Sequence, residues 1–127
     1  MRPWEVDTST PGLLQLTLRG RISRADMVAF VAAHNAAIDG FAGRDYKVLC
    51  DLRALQPLSP ECADLFAAAK TYSDAHPNFR GSAVWVASAV VSMQHARTSK
   101  SSGVATTELI SADRAALDAH LAAVWRH

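Results

Sequence analysis

The stretch Tyr46–Glu61, YKVLCDLRALQPLSPE, decides the fold. Lys47–Leu52 reads as a buried strand, apolar apart from Asp51 near its end. Pro57 interrupts the loop that follows, and Ser59-Pro60-Glu61 opens a helix. Ser at the cap accepts a backbone N–H, Pro suits the first helical position, and an acid there meets the positive end of the helix dipole. The unit is therefore strand, loop, helix, and the chain repeats it on both sides.

Downstream, the helix buries a stripe through Leu65, Phe66, Ala69 and Tyr72 and ends at His76-Pro77-Asn78. Ser82–Ala87, SAVWVA, is apolar on both faces and predicts a central strand covered by helices on both sides. Ser88 caps a third helix through Val90, Val91, Met93, Gln94 and Arg97 that ends near Gly103. A strand over Val104–Ile110 follows, and Ser111 caps a last helix with the stripe Leu117, Leu121, Val124 and Trp125.

Upstream, Leu13–Arg19 alternates between Leu14, Leu16, Leu18 on one face and Gln15, Thr17, Arg19 on the other, the period of a half-buried strand. With Trp4–Asp7 and the turn DTSTPG it forms a hairpin at one side of the sheet. Ser23 and Asp26 form a capping box for a helix whose inward stripe is Met27, Phe30, Val31, His34 and Ile38, with Gly40 suited to the left-handed position that ends it.

The predicted order is ββαβαβαβα in one α/β domain over residues 1–127, a mainly parallel sheet flanked by helices. Right-handed crossovers place every helix start at the carboxyl edge of the sheet. Ser23, Ser59, Ser88 and Ser111 then lie along one rim, where open α/β sheets bind their ligands.

Composition narrows the function. Half the residues are hydrophobic, and thirteen basic against twelve acidic side chains leave a formal charge of +1, without the basic excess of a nucleic-acid-binding domain. Arg97–Lys100 reads as solvated helix surface. Cys50 and Cys62 both fall at apolar positions, with no CxxC pair. The N-terminus has no apolar signal core and no run approaches the ~18 apolar residues of a membrane span, predicting a soluble cytoplasmic protein with peripheral membrane contact at most.

No motif carries a catalytic mechanism. The five histidines, His34, His76, His95, His120 and His127, include no pair at helical metal-site spacing and no HExxH, so no metal or cofactor is expected. His34 and His120 fall in or beside apolar stripes. His95 lies near Ser92 and Ser99, but a nucleophile–base pair needs an orienting third group, and the sequence names none. Phosphate-binding glycine loops and GxSxG are absent. The expectation is a protein without enzymatic activity.

Three segments resemble the SpoIIAA-like group of small STAS/SEC14-type domains, relatives of the anti-sigma factor antagonists. They are KVLCDLRAL, with its strand ending in Asp-Leu; RGSAVWVASAVVSMQHAR, with Met93 and Arg97 at Met-x-x-x-Arg spacing; and LISADRAALDAHLAAVW, with its closing strand and helix. The resemblance implies a bacterial signalling domain that binds a kinase-like protein partner and is switched by serine phosphorylation. Its SEC14-like side implies an apolar small molecule or lipid in a cleft beneath the third helix. Aligned without gaps from Asp51, the family's phosphoserine position falls on Glu61, leaving Ser59 as a neighbouring phosphorylation candidate.

The candidate binding rim comprises Asp51, Arg53, Leu58, Ser59, Ser88, Ser92, Met93 and Arg97. Asp51 also suits a structural role, bonding loop amides. Val90, Val91, Met93, Trp85 and Leu58 read mostly as core packing near that rim. The edge hairpin leaves a homodimer open as a further interface.

Overall fold

The computed structural model describes residues 2–123. It contains β1 (Trp4–Asp7), β2 (Leu13–Leu18), α1 (Arg24–Gly40), β3 (Tyr46–Asp51), α2 (Pro60–Asp74), β4 (Phe79–Trp85), α3 (Ala89–Ser102), a 3-10 turn (Ala105–Thr107), β5 (Glu108–Ser111) and α4 (Arg114–Ala123). The sheet order follows the chain, β1-β2-β3-β4-β5, with β1 antiparallel to β2 and all later pairs parallel.

This order fixes where the helices go. Each crossover steps one strand in the same direction, so right-handed connections stack α1, α2 and α3 on a single face. The packing of α1 on α2 and of α2 on α3 accords with this. No further strand follows β5, and α4 turns onto the opposite face, against β4 and β5. The expected two-sided cover of the central strand is thus unequal: a full helical layer on one face and one helix on the other.

Three register rows organise the sheet. Leu16, Cys50, Val84 and Ile110 run side by side toward the three-helix layer. There they join a core with Leu14, Leu18, Met27, Phe30, Phe66, Phe79 and Val91. On the α4 side, Leu49 and Ala83 pack with Leu117, flanked by Leu13, Trp85, Leu109 and Leu121. At the carboxyl edge, Thr17, Asp51, Trp85 and Ser111 form the last row. Tyr46 anchors the start of β3, stacked on Phe41 at 4.7 Å and hydrogen-bonded to Ser73 Oγ at 2.8 Å.

Caps form at the predicted serines for three helices. Ser23 and Asp26 make a reciprocal capping box, Ser59 Oγ accepts from the Cys62 N–H, and Ser88 Oγ accepts from the Val91 N–H. Four expectations are corrected. The left-handed residues after α1 are Ala42 and Gly43, not Gly40, which remains helical. Ser111 accepts the Asp113 N–H instead of capping α4; Asp113 accepts from the Ala115 N–H and supplies that cap. The last strand begins only at Glu108, because Val104 is buried in the core and the chain turns through 3-10 geometry after it. Val90 and Met93 are not core residues, being 60% and 61% exposed. Val124 and Trp125 lie outside the described residues.

Candidate functional site

The helix starts gather at the carboxyl edge, but the sheet divides the candidate residues between its two faces. On the α4 face, Asp51 and Arg53 form a closed pair. Asp51 Oδ1 accepts the Arg53 backbone N–H at 3.0 Å, and Asp51 Oδ2 accepts from Nη2 at 2.9 Å. Arg53 also lies over Trp85, its Cζ 3.4 Å from the ring centroid, and Arg114 approaches the same ring at 4.9 Å. Partial burial works to raise the Asp51 carboxyl, but the Arg53 hydrogen bonds and charge outweigh it and hold the group below the ordinary carboxylate value. Asp51 here bonds a loop amide and an arginine, both structural contacts. Arg53 is more committed than a solvated surface arginine.

On the three-helix face, the loop from Arg53 to Ser59 is pinned from both sides. Gly20 exchanges backbone hydrogen bonds with Ala54 and Gln56 at 2.8 and 3.0 Å. Gln94 on α3 accepts from the Leu58 N–H at 2.8 Å and donates to the Leu58 carbonyl at 2.7 Å. A primary amide can satisfy both backbone groups of one residue, so Gln94 holds the start of α2 against α3. Next to it runs a surface groove of about 380 Å³ lined by Pro60, Asp64, Ala67, Gln94, Arg97 and Thr98, among others. Val90, Met93 and Arg97 are exposed, and their helical spacing places them on one side of α3. Ser59 is exposed at the head of α2; Ser88 and Ser92 are half-buried. Glu61 pairs with Arg24 of α1 at 2.5 Å.

Beneath α2 and α3 lies a second group, which reading by apolar stripes alone passes over. Lys70, on the inward face of α2, donates to His95 Nε2 at 2.5 Å, to Ser99 Oγ at 2.6 Å and to Glu108 Oε2 at 2.7 Å. Ser82 donates to Glu108 Oε2 at 2.8 Å, and Ser99 donates to Glu108 Oε1. Strand register explains the acid's position: Ser82 pairs with Glu108, one step before the Val84–Ile110 pair on the same face. Lys70, His95, Ser82 and Ser99 are all buried.

Burial lowers the proton affinity of His95 and the neighbouring Lys70 charge lowers it further, together outweighing the opposing pull of Glu108. Lys70 is also lowered by burial, against the opposing pull of Glu108. Burial would raise the Glu108 carboxyl, but the hydrogen bonds and positive charge of the cluster around it reverse this and hold it far below the usual range. The third group that His95 and Ser99 lacked in the sequence thus exists, as Lys70 with Glu108, yet the side chains of the cluster are buried. Its visible sequence signal was the polar stripe His95, Thr98, Ser99, Ser102 along α3, with Lys70 and Ser73 on the facing helix.

The space beneath α3 does not support a lipid cleft. The cavity there is about 30 Å³, lined by Phe66, Val104, Lys70, His95 and Glu108 among others, and suits about one water molecule. Burial pushes the Cys50 thiol in the same lining up to about 12, far from a reactive thiolate. Among the described residues no cluster of three or more His, Cys, Asp or Glu side chains is placed to hold a metal ion, and no helix is long and apolar enough to cross a membrane.

No protein-family model matches the sequence, and no curated protein matches it significantly. Solved structures do match the fold. The anti-sigma factor antagonist SpoIIAA in its unphosphorylated form superposes with a TM-score of 0.63 at 15% identity, over 91% of this chain and 94% of that one. An anti-sigma factor antagonist from Mycobacterium paratuberculosis gives 0.61 at 20% identity, over 95% and 92%. The resemblance read from the three segments is therefore a resemblance of fold across nearly the whole chain.

Proposed function

We propose that this chain is a non-catalytic regulatory domain that binds another protein through the α2 start and the outer face of α3. The exposure of Val90 and Met93 beside Arg97 and the α2–α3 groove carries the reading. Two large apolar side chains on a helix whose inward face is mostly polar form a contact surface with a defined chemistry. A partner would seat an apolar group on Val90 and Met93 and place an acceptor against Arg97. Covering each apolar side chain contributes about 1–2 kcal/mol, given that full burial is worth roughly 1.5–3 kcal/mol. The fold shared with anti-sigma factor antagonists supports a signalling role.

The face across the sheet serves less well. Arg53 is occupied by Asp51 and Trp85, so a partner would have to displace an existing pair and stack. Ser59 functions as a helix cap and stays exposed, open to modification, while Glu61 places a fixed negative charge at the adjoining turn. A phosphate at Ser59 would be favoured by the helix dipole but would face Glu61.

The test is binding to a purified partner, identified by capture with the wild-type chain. Met93→Asp and Arg97→Glu are each expected to weaken the complex about tenfold or more, with folding unchanged by circular dichroism. Arg53→Glu, across the sheet, is expected to change affinity much less. A complex that survives Met93→Asp and fails with Arg53→Glu would move the interface to the α4 face.

A further inference from the structure

We propose that the Lys70–His95–Glu108 cluster is an acid-operated latch, in which protonation of His95 releases the second half of α3 from α2 and β5 while the sheet stays folded. The inference is independent of what binds the outer face of α3.

The hydrogen bonds leave no room for a second proton on His95. An ammonium has three donors, and Lys70 spends them on His95 Nε2, Ser99 Oγ and Glu108 Oε2. His95 therefore accepts at Nε2 and is neutral, with its proton on Nδ1. Glu108 accepts three hydrogen bonds, at Oε2 from Lys70 and Ser82 and at Oε1 from the Ser99 hydroxyl. A proton added at Nε2 would point at the Lys70 ammonium. Glu108 Oε1 is 3.7 Å from Nε2, beyond hydrogen-bond reach without movement of the ring. The imidazolium must break from Lys70, and the cluster changes from one cation and one anion to two cations and one anion, all buried.

Beyond Glu108, whose single charge already offsets Lys70, the surrounding elements offer no compensating charge. From α1 the cavity is lined by His34, itself buried and bonded to Asn35, and from β3 by Cys50, which stays protonated. Lys70 faces it from α2, His95 from α3, the neutral Ser82 from β4 and Glu108 from β5. The small cavity beside the cluster gives the turning ring and about one water a place to go.

α3 is the element that yields because of its inward face. Its buried residues are Val91, His95, Thr98, Ser99 and Ser102, so beyond Val91 the helix is held mainly by polar contacts, with the His95 ring set T-shaped against Phe66 at 5.2 Å. The sheet and α1, by contrast, are fixed by Leu14, Leu16, Leu18, Met27, Phe30 and Phe79. Elements with few buried apolar contacts open first. The direction of the effect follows from His95: burial and Lys70 depress its proton affinity in the closed form, so the released form takes up the proton more readily. Release is favoured as pH falls below the ordinary histidine value of about 6.5.

The experiment uses the full chain, following histidine ring nitrogens by NMR and amide exchange protection factors from about pH 8 to about pH 4.5. The expected result is an Nδ1–H tautomer at the high end. Protonation of His95 on acidification should then bring at least about tenfold loss of protection over Gln94–Ser102, with Tyr46–Asp51 still protected. In His95→Gln the side-chain carbonyl still accepts from Lys70 and gains no proton, so α3 should keep its protection over the same range. The latch is overturned if α3 stays protected through His95 titration, if α3 and β3 lose protection together, or if His95→Gln opens as the wild type does. Should that variant not fold, the wild-type titration decides alone.

Discussion

Lys70 is buried in the three-helix layer, and each proton of its ammonium has its own acceptor. Such a group is destabilising to break and nearly neutral to replace whole, because a lone buried charge costs more than a satisfied pair contributes. Lys70→Ala leaves Glu108 buried beside the neutral His95 and is expected to lose about 3–5 kcal/mol of stability in urea titrations. The double variant Lys70→Met with Glu108→Leu should fall much closer to wild type. Equal losses in the single and double variants would mean that packing, not charge, sets the cost. This cluster was the least legible part of the chain. A lysine nearly three turns into a helix reads as surface, and only its place in the stripe Cys62, Phe66, Ala69, Lys70, Ser73 marks it as buried. Its acidic partner is distant in sequence, and nothing local announces the pairing.

At the scale of elements, helix starts were legible because capping is local chemistry between residues two or three apart. Ser23, Ser59 and Ser88 cap as their sequences imply. Ser59→Ala is expected to cost about 1 kcal/mol, measured as a shift of the thermal or urea midpoint, and Ser59→Asp to restore most of it. No loss in Ser59→Ala would leave Pro60 and the Leu58–Gln94 bonds as sufficient to start α2. The misread boundaries share a cause in nonlocal packing. Val104 looks like strand but is drawn into the core, which delays β5 to Glu108. Ser111 looks like a cap but belongs to the edge row of the sheet with Trp85, leaving Asp113 to begin α4. Met93 and Val90 suggest an apolar stripe, yet α3 turns its small polar side inward because His95 and Ser99 complete the Lys70 network.

For the whole molecule, the alternation of strand and helix was enough to give the element order and the parallel sheet, since right-handed crossover leaves few alternatives. It did not give the sheet order, and hence not the crowding of α1, α2 and α3 on one face. That crowding divides the candidate rim, with Asp51, Arg53 and Trp85 on one side and Leu58, Ser59, Met93 and Arg97 on the other. The central claim is that the α2–α3 side is the one that meets a protein. It is tested most directly by placing a photo-crosslinking amino acid singly at Met93, at Arg53 and at Glu5 on the outer strand, then irradiating in the native cell and identifying adducts by mass spectrometry. The account predicts one dominant protein adduct from Met93, little from Arg53 and none from Glu5; adducts of that protein from Glu5 or Arg53 with none from Met93 would contradict it.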